Sequence, residues 1–526
     1  MNAIFLTQSS GLGMFYELMK ALREPLQLDR IGFLLAYYPY FRRFRQGVSD
    51  IESGGYHLLK EWEITDGVRN GKPDLDLIND YERKLGNPHL WGPLVADRRV
   101  YLGGKSAFFQ DYRPRFNHTQ MLNVLQAGLV SVERLFDEVQ PNFVACFQCV
   151  TFGEYLAYLF ARSRGIPFLN LRPTRIKNYQ IFGESIFEPS ERVQTAYERY
   201  LAAGAEDAWT EEAREYVSFV QGEHALYEGV GVSTLAPKPR SIFSHIGRLP
   251  TTFMNLVRGE YNYRFGEVRD NHDPGVLVPF LYQRFLKPME LRRVNRRLSS
   301  EYVTEAELST LDYVFCPLHT EWEVTLAVYS KPYLNQIEII RNVSHSIPVG
   351  MTVLVKEHPV SIGKRPLSYY QKMLDMPNVR LADPAMSSKP LVANARFVAT
   401  LAGSIGWEAV MRQKPVVIFG HTPYEFLPNS MVRRVTDLER LGVEIADLLK
   451  NYRYREDAVN AYAAAIMSQS APINLYSTLL GRAGVYAPGE GVREPDEALR
   501  RDIEILARYA VETLGVDPAR SPVTAG

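Results

Sequence analysis

Two stretches place chemically capable side chains where the chain would otherwise stay apolar. In MTVLVKEHPVSIG, residues 351–363, an alternating apolar run stops at Lys356, Glu357, His358 and Pro359. Proline fixes its own φ and holds the residue before it extended, so His358 is aimed in one direction. An ammonium and an imidazole at a strand end suit a phosphate. The same residues also suit a plainer role, solvating the strand end while His358 caps a loop. The second stretch is ARFVATLAGSIGWEAVMRQKPVVIFG, residues 395–420. Gly403 and Gly406 let the backbone approach a ligand, and Ser404 is a natural N-cap. The amides and positive dipole end of the helix after this loop make an anion cradle. With Ser404 as the cap, the capping-box position falls on Trp407. Glu408 is then left to bond a hydroxyl pair such as a ribose, or to sit in the first turn where the dipole favours it.

The elements that must position these residues keep a strand, glycine loop, helix, strand rhythm, which predicts parallel sheets. AIFLT (3–7) reads as a buried strand, the loop QSSGLG carries Gly11 and Gly13, and a helix runs from Met14 to Leu22. FVACF (143–147), a helix from Glu154 and IPFLNL (166–171) repeat the pattern. Long charged helical stretches occupy 184–305. The rhythm then resumes with LDYVFCPL, a helix near Gln336–Ser346, MTVLVKEHP, NVRLAD, ARFVATLAGS and PVVIFG. The predicted division is an N-terminal α/β domain (1–183), a helical insert (184–305), a C-terminal α/β domain (306–490), and a last helix with a disordered tail (491–526). Ligands of such sheets bind beyond the carboxyl ends of the strands, where both stretches lie.

A chain of 526 residues, 46% of them hydrophobic, is too long for one core. Lys plus Arg and Asp plus Glu are both 60, so no global field draws it to nucleic acid. Its three cysteines include Cys146 and Cys149 in a C-x-x-C, but no second pair completes a zinc site, and a reducing compartment is expected. The N-terminus lacks a basic leader, and no apolar run is long enough to span a bilayer. The expectation is a cytoplasmic protein.

The run PLHTEWE (317–323), Asn335-Gln336, LVKEHP and AGSIGWEAVMRQKPVVIFGHTPY together resemble the bacterial capsule polysaccharide synthesis proteins. That family includes transferases that move Kdo, an eight-carbon acidic sugar, from its CMP-linked form. The resemblance covers roughly residues 310–425. It implies a GT-B-like fold: two Rossmann-like domains facing a cleft, with a C-terminal helix crossing back to the first. By the same resemblance Lys356, His358 and Pro359 contact the donor phosphate, and Gly403, Ser404, Gly406 and Glu408 form the nucleotide loop and helix, with Asn335 and Gln336 on the donor side. Relatives often carry aspartate where this chain has Asn335, and an amide does not serve as the nucleophile of a double displacement.

The activity so implied is glycosyl transfer from a nucleotide sugar to a glycan or lipid-linked glycan. Charge builds on the departing phosphate, and a base must deprotonate the acceptor hydroxyl. Glu321, Glu323 and Glu154 are the candidate bases, His358 shares the catalytic assignment, and Gly11 and Gly13 line the cleft. On this reading the sequence holds no Asp-x-Asp motif, so no metal or other cofactor is called for. Arg284, Lys287, Arg292, Arg293, Arg296 and Arg297 form a basic cluster that suits contact with an anionic inner membrane, or simply a solvated face. Two other readings stay open: a nucleotide-sugar epimerase or CDP-polyol phosphotransferase on a related fold, and a non-catalytic glycan-binding or assembly subunit.

Overall fold

The computed structural model describes residues 1–8, 11–66, 71–87, 89–102, 114–203, 207–222, 249–265, 275–321, 323–358, 361–481 and 495–516. Apolar runs that are buried along their whole length give its strands. β1 (Ala3–Thr7), β2 (Ile31–Leu35) and β4 (Phe143–Phe147) have no exposed residue, the mark of a parallel sheet covered on both faces. With β3 (His57–Lys60), β5 (Phe168–Pro173), β6 (Tyr179–Gly183) and β14 (Ala471–Pro472) they form one seven-stranded sheet, ordered β14-β6-β5-β4-β1-β2-β3. Its β5–β6 and β6–β14 pairs are antiparallel and the rest parallel.

The second seven-stranded sheet is parallel throughout and ordered β13-β12-β11-β8-β9-β10-β7. Its strands are β7 (Tyr302–Val303), β8 (Tyr313–Pro317), β9 (Thr352–Lys356), β10 (Val379–Ala382), β11 (Phe397–Thr400), β12 (Val416–Ile418) and β13 (Val432–Arg434). Two Rossmann-like sheets, helices on both faces, and a cleft between them make a GT-B-like architecture.

The helices used below are α1 (Gly11–Arg23), α2 (His118–Val139), α3 (Phe152–Ser163), α4 (Glu191–Ala203), α5 (Ala208–Gly222), α6 (Leu249–Phe265), α7 (Lys287–Leu298), α8 (Gln336–Ser346), α9 (Ser404–Met411), α10 (Glu456–Ser468) and α11 (Pro495–Thr513). On one face of the first sheet, Phe5, Phe15 and Phe33 share a core with Leu506 and Ala510 of α11. The last helix therefore does cross back to the first domain. The small, fully buried Ala510 lets it lie close to α1. α2 and α3 cover the opposite face.

The charged stretch after residue 183 is less separate than its composition suggests. Tyr197 and Tyr200 of α4, and Val217 and Val220 of α5, are buried in one core with Tyr462 and Ile466 of α10 and Trp407 of α9. Val294 and Leu298 of α7 join the core on the other face of the second sheet. β7, at residues counted with the insert, pairs with β10 as that sheet's edge strand. The apolar positions are spaced for burial at helical period, while the abundant charge occupies only the outer faces.

Candidate active site

The carboxyl ends of both sheets converge on one cavity of about 590 Å³. From the first domain it is lined by Gln8 after β1, Tyr37 after β2, Gln148 after β4 and the β5 end from Arg172 to Arg175. From the second come Glu323, Thr325, Gly403, Ser404, His421 and Tyr424. The cations that line the cavity differ in character. Arg99 is buried with Asp97 and Glu61, and Arg172 pairs with Glu188 at 3.3 Å. Arg98 and Arg175 instead direct their charge toward Glu323.

The two helix starts facing the cavity are treated in opposite ways. At α3, Thr151 and Glu154 form a capping box, and the Glu154 carboxylate accepts from the amides of Val150 and Thr151 at 2.9 and 3.0 Å. The amide of Phe152 donates to Asp97 and that of Gly153 to Glu61. Protein carboxyl groups thus take up the amides of this helix start. At α9 the N-cap is Gly403, not Ser404, and no side chain caps it. Gly403 has φ 102° and ψ 178°, a backbone region open essentially to glycine alone. A Cβ there would lie 3.3 Å from Nε2 of His319. Gly406 is needed for a different reason: a Cβ would lie 2.2 Å from the Tyr424 hydroxyl, which itself donates to the Gly403 carbonyl at 2.7 Å. The open helix start is therefore held rigidly at the cavity wall.

Several expected residues sit elsewhere. Glu154 does not face the cleft; it is wholly buried, and burial pushes its carboxyl up to about 8 despite the two amides. Gly11 and Gly13 belong to the first turn of α1, where neither has a positive φ, and it is Gln8 that reaches the cavity. Glu321 is tied to Arg365 at 3.4 Å and to Gln336. Gln336 is buried and clamps the backbone of His319, accepting from its amide at 2.7 Å and donating to its carbonyl at 3.1 Å. Asn335 is exposed and lines a separate surface depression with Tyr101 and Tyr369. Lys356 is buried at the end of β9, where desolvation lowers its pKa against the pull of Glu357 and Asp383. His358 is exposed and does not line the cavity, though its charge acts on His319. Glu408 is half-buried, its carboxyl raised to about 7 by burial with Arg412 opposing. Pro359 lies outside the described residues.

Of the three proposed bases, Glu323 alone lines the cavity. Desolvation raises its carboxyl above the ordinary range, and Arg175, Lys364 and Arg98 pull it back. Thr325, two residues on, comes within 3.9 Å of the Cβ position of Gly403, so this loop abuts the open helix start.

Residues 291–428, which carry this half of the cleft, match the model of the capsule polysaccharide biosynthesis protein family. The match spans β8, β9, β11 and α9, the elements that bring in His319, Glu323 and Gly403. A curated relative, Protein FixF of Sinorhizobium fredii, is 29% identical over 160 residues, covering 29% of this chain and 37% of that protein. The chain thus spans well under half the length of that relative. Among solved structures, the β-Kdo 2,7 transferase of KpsC from Thermosulfurimonas dismutans aligns at 12% identity and TM-score 0.32, over 64% of this chain and 80% of the other. The β-Kdo 2,4 transferase of the same KpsC aligns at 15% and 0.33, over 62% and 79%. A UDP-GlcNAc 2-epimerase from Neisseria meningitidis aligns at 12% and 0.26, over 89% and 97%. The strand order, not these likenesses, defines the fold.

Within the capsule-family segment, two residues that sequence reasoning passed over organise the site. His319 lies against the Gly403 loop, with Nε2 at the carbonyl of Ala402, and burial lowers its pKa to about 4, which keeps the imidazole neutral. Arg365 is 2% exposed, binds both carboxylate oxygens of Glu357, and donates to the carbonyl of His319 at 2.7 Å. Tyr370 completes the set by donating to Glu357 at 2.8 Å. Glu357 is therefore an internal strut. The histidine inside PLHTEWE was the available signal for His319; nothing local marks Arg365. An Asp-x-Asp sequence does occur at Asp74–Asp76, but Asp74 caps the helix Leu75–Lys84 and neither residue lines the cavity.

Proposed function

We propose that the protein transfers a sugar from a nucleotide donor to a glycan or lipid-linked glycan acceptor in surface polysaccharide assembly. The donor is CMP-linked Kdo or a related acidic sugar. One observation carries this reading: an interdomain cavity is bordered by a helix start at Gly403 with no side-chain cap and by an exposed carboxylate, Glu323, on the adjoining loop. The family match over residues 291–428 supports its place in polysaccharide synthesis.

The donor phosphate rests against the start of α9, where backbone amides and the helix dipole stabilise the charge that develops as the sugar–phosphate bond breaks. Neutral His319 and Gln336 hold that loop in place without adding a competing charge. Glu323 takes the proton from the acceptor hydroxyl as the new glycosidic bond forms. Its raised pKa keeps it basic enough for that transfer. Arg98 and Arg175, whose charge opposes the upward shift of Glu323, suit the carboxylate of an acidic sugar.

Calorimetric titration with CMP, UDP, GDP and CDP tests the donor assignment, with CMP expected to bind tightest; failure of every nucleotide to bind would sink it. Glu323→Gln should lower kcat by roughly 10²–10⁴-fold, the range for loss of a general base, while nucleotide affinity stays unchanged. Because Glu323 works deprotonated, the wild-type rate should climb with pH through a midpoint above the ordinary carboxylate range, and the variant should lose that limb. An epimerase would release nucleotide without adding sugar to a glycan, and a phosphotransferase would transfer the phosphate. An assembly subunit would keep supporting polysaccharide production after the substitution.

A further inference from the structure

The described residues expose eighteen large hydrophobic side chains, and ten of them fall between residues 254 and 289. They are ordered. On α6, Met254, Val257, Tyr261 and Phe265 recur at spacings of three and four, so they share one helix face, and all are more than half exposed. The helical run after it comprises the turn Leu277–Leu281, the π-helical turn Tyr282–Leu286 and α7. There Leu277, Leu281, Phe285 and Met289 recur every four residues and are also exposed. The two helices are joined at their base. The Glu260 carboxylate accepts from the amides of Val276 and Leu277 at 3.2 and 3.1 Å, and a Cβ at Gly259 would lie 2.9 Å from the Val276 side chain.

Charge continues the same pattern. Beyond Met289, helical spacing leads along α7 to Arg292, Arg293, Arg296 and Arg297, all exposed. Residues 277–298 hold six basic side chains and one acidic one, Glu290. Glu290 is turned to the protein, where it accepts from the amide of Leu367 at 3.2 Å. Among the described residues of the run 277–298, whose one carboxylate, Glu290, also lies 3.9 Å from Arg293, an apolar face runs into a basic collar and is complementary to a layer with an apolar interior and a negative surface.

The inner side of this element packs against the loop that follows β9. Tyr282 donates to the carbonyl of Gly363 at 3.3 Å, and a Cβ at Gly363 would lie 3.4 Å from the carbonyl of Lys287. The next residues, Lys364 and Arg365, lead back to the site: Lys364 feels the charges of Lys287, Arg98 and Glu323, and Arg365 holds Glu357 and Glu321.

We propose that α6 and the helical run 277–298 form a membrane-docking hairpin that inserts its apolar face into an anionic lipid surface and sets the cleft mouth beside the bilayer. Met254, Tyr261, Phe265, Leu281, Phe285 and Met289 enter the interface, and the α7 arginines contact lipid phosphates. The acceptor then reaches Glu323 from the membrane plane by way of Lys287 and Lys364.

Co-sedimentation of the full chain with vesicles tests this without any need for turnover, so it fails or succeeds separately from the transfer reading. The protein should bind phosphatidylglycerol-containing vesicles at low salt and bind pure phosphatidylcholine vesicles far more weakly. Arg292→Ala with Arg296→Ala should weaken binding by roughly fivefold per arginine and reduce its salt dependence. Leu281→Ser with Phe285→Ser should cost at least tenfold while leaving the unfolding midpoint unchanged, since both side chains are exposed. With Phe285→Trp, lipids brominated in the acyl chain should quench fluorescence beyond the wild-type background. Absence of binding to anionic vesicles at low salt overturns the proposal. So does quenching no greater than background, or loss of the exposed face into a dimer that does not bind vesicles.

Discussion

At the scale of single residues, burial decides what each carboxylate can do. Glu154, Glu321, Glu357 and Glu323 are all glutamates close to strand ends, yet only Glu323 meets solvent in the cleft. Glu154 shows the alternative fate. Its folded-state pKa rises to about 8 from an ordinary 4.5, so the folded chain holds a proton that the unfolded chain releases above about pH 4.5. That contribution to stability is complete below pH 4.5 and is lost progressively as pH climbs toward 8. Glu154→Gln keeps an acceptor for the amides of Val150 and Thr151 and removes the titration. Thermal unfolding of the variant between pH 5 and 8 should show a flatter dependence than the wild type; an unaltered slope would contradict the assignment. His358 was conspicuous in sequence because a proline comes directly after it. The residue in contact with Gly403 is His319, because β8 and β11 are neighbours in the sheet.

At the scale of elements, α3 and α9 leave their strands in the same way and yet do different work. The difference is what occupies their first amides. Asp97 and Glu61, remote in sequence from α3, fold onto its start, while the N-cap of α9 is a glycine with no side-chain cap. Gly403→Ala forces a side chain into a backbone region that costs about 1–3 kcal/mol and brings its Cβ to 3.3 Å from His319. Nucleotide affinity should fall at least tenfold with a modest loss in unfolding midpoint, measured by calorimetry on the same samples. An unchanged affinity would mean that the α9 loop does not hold the donor. The glycine pattern made this loop readable from sequence. The capping of α3 was half readable, since Thr151 and Glu154 stand at capping-box spacing, whereas the contributions of Asp97 and Glu61 are tertiary.

At the scale of the whole molecule, the chain closes on itself. α11 returns to pack Ile503, Leu506 and Ala510 against α1, and β14 adds an antiparallel edge to the first sheet after the chain has built the second. Each fully buried aliphatic side chain contributes about 1.5–3 kcal/mol, so the helix stabilises a domain it reaches only at the end of the chain. A variant ending at residue 494 should lose that contribution in the first domain while nucleotide binding to the second survives. Domain-resolved calorimetry is the check. Equal destabilisation of both domains would show that the two sheets unfold as one unit.

By itself the amino-acid sequence determined many of the local elements: apolar runs marked eight of the fourteen strands, β1 and β4 to the residue, while β2, β3, β6, β7, β13 and β14 went unread, and glycines marked the loop before α9. Basic groups, imidazole and glycine at strand ends carried the expectation of a phosphate ligand; of these the glycine loop lines the cavity, and Lys356 and His358 do not. Tertiary structure alone decided which groups meet. Strand order brought His319 to Gly403 and locked Glu357 onto Arg365, and packing left Glu323 in the open while sealing Glu154. Burial and contact between distant segments depend on how strands are ordered across a sheet, and side-chain spacing along one segment carries no record of that order.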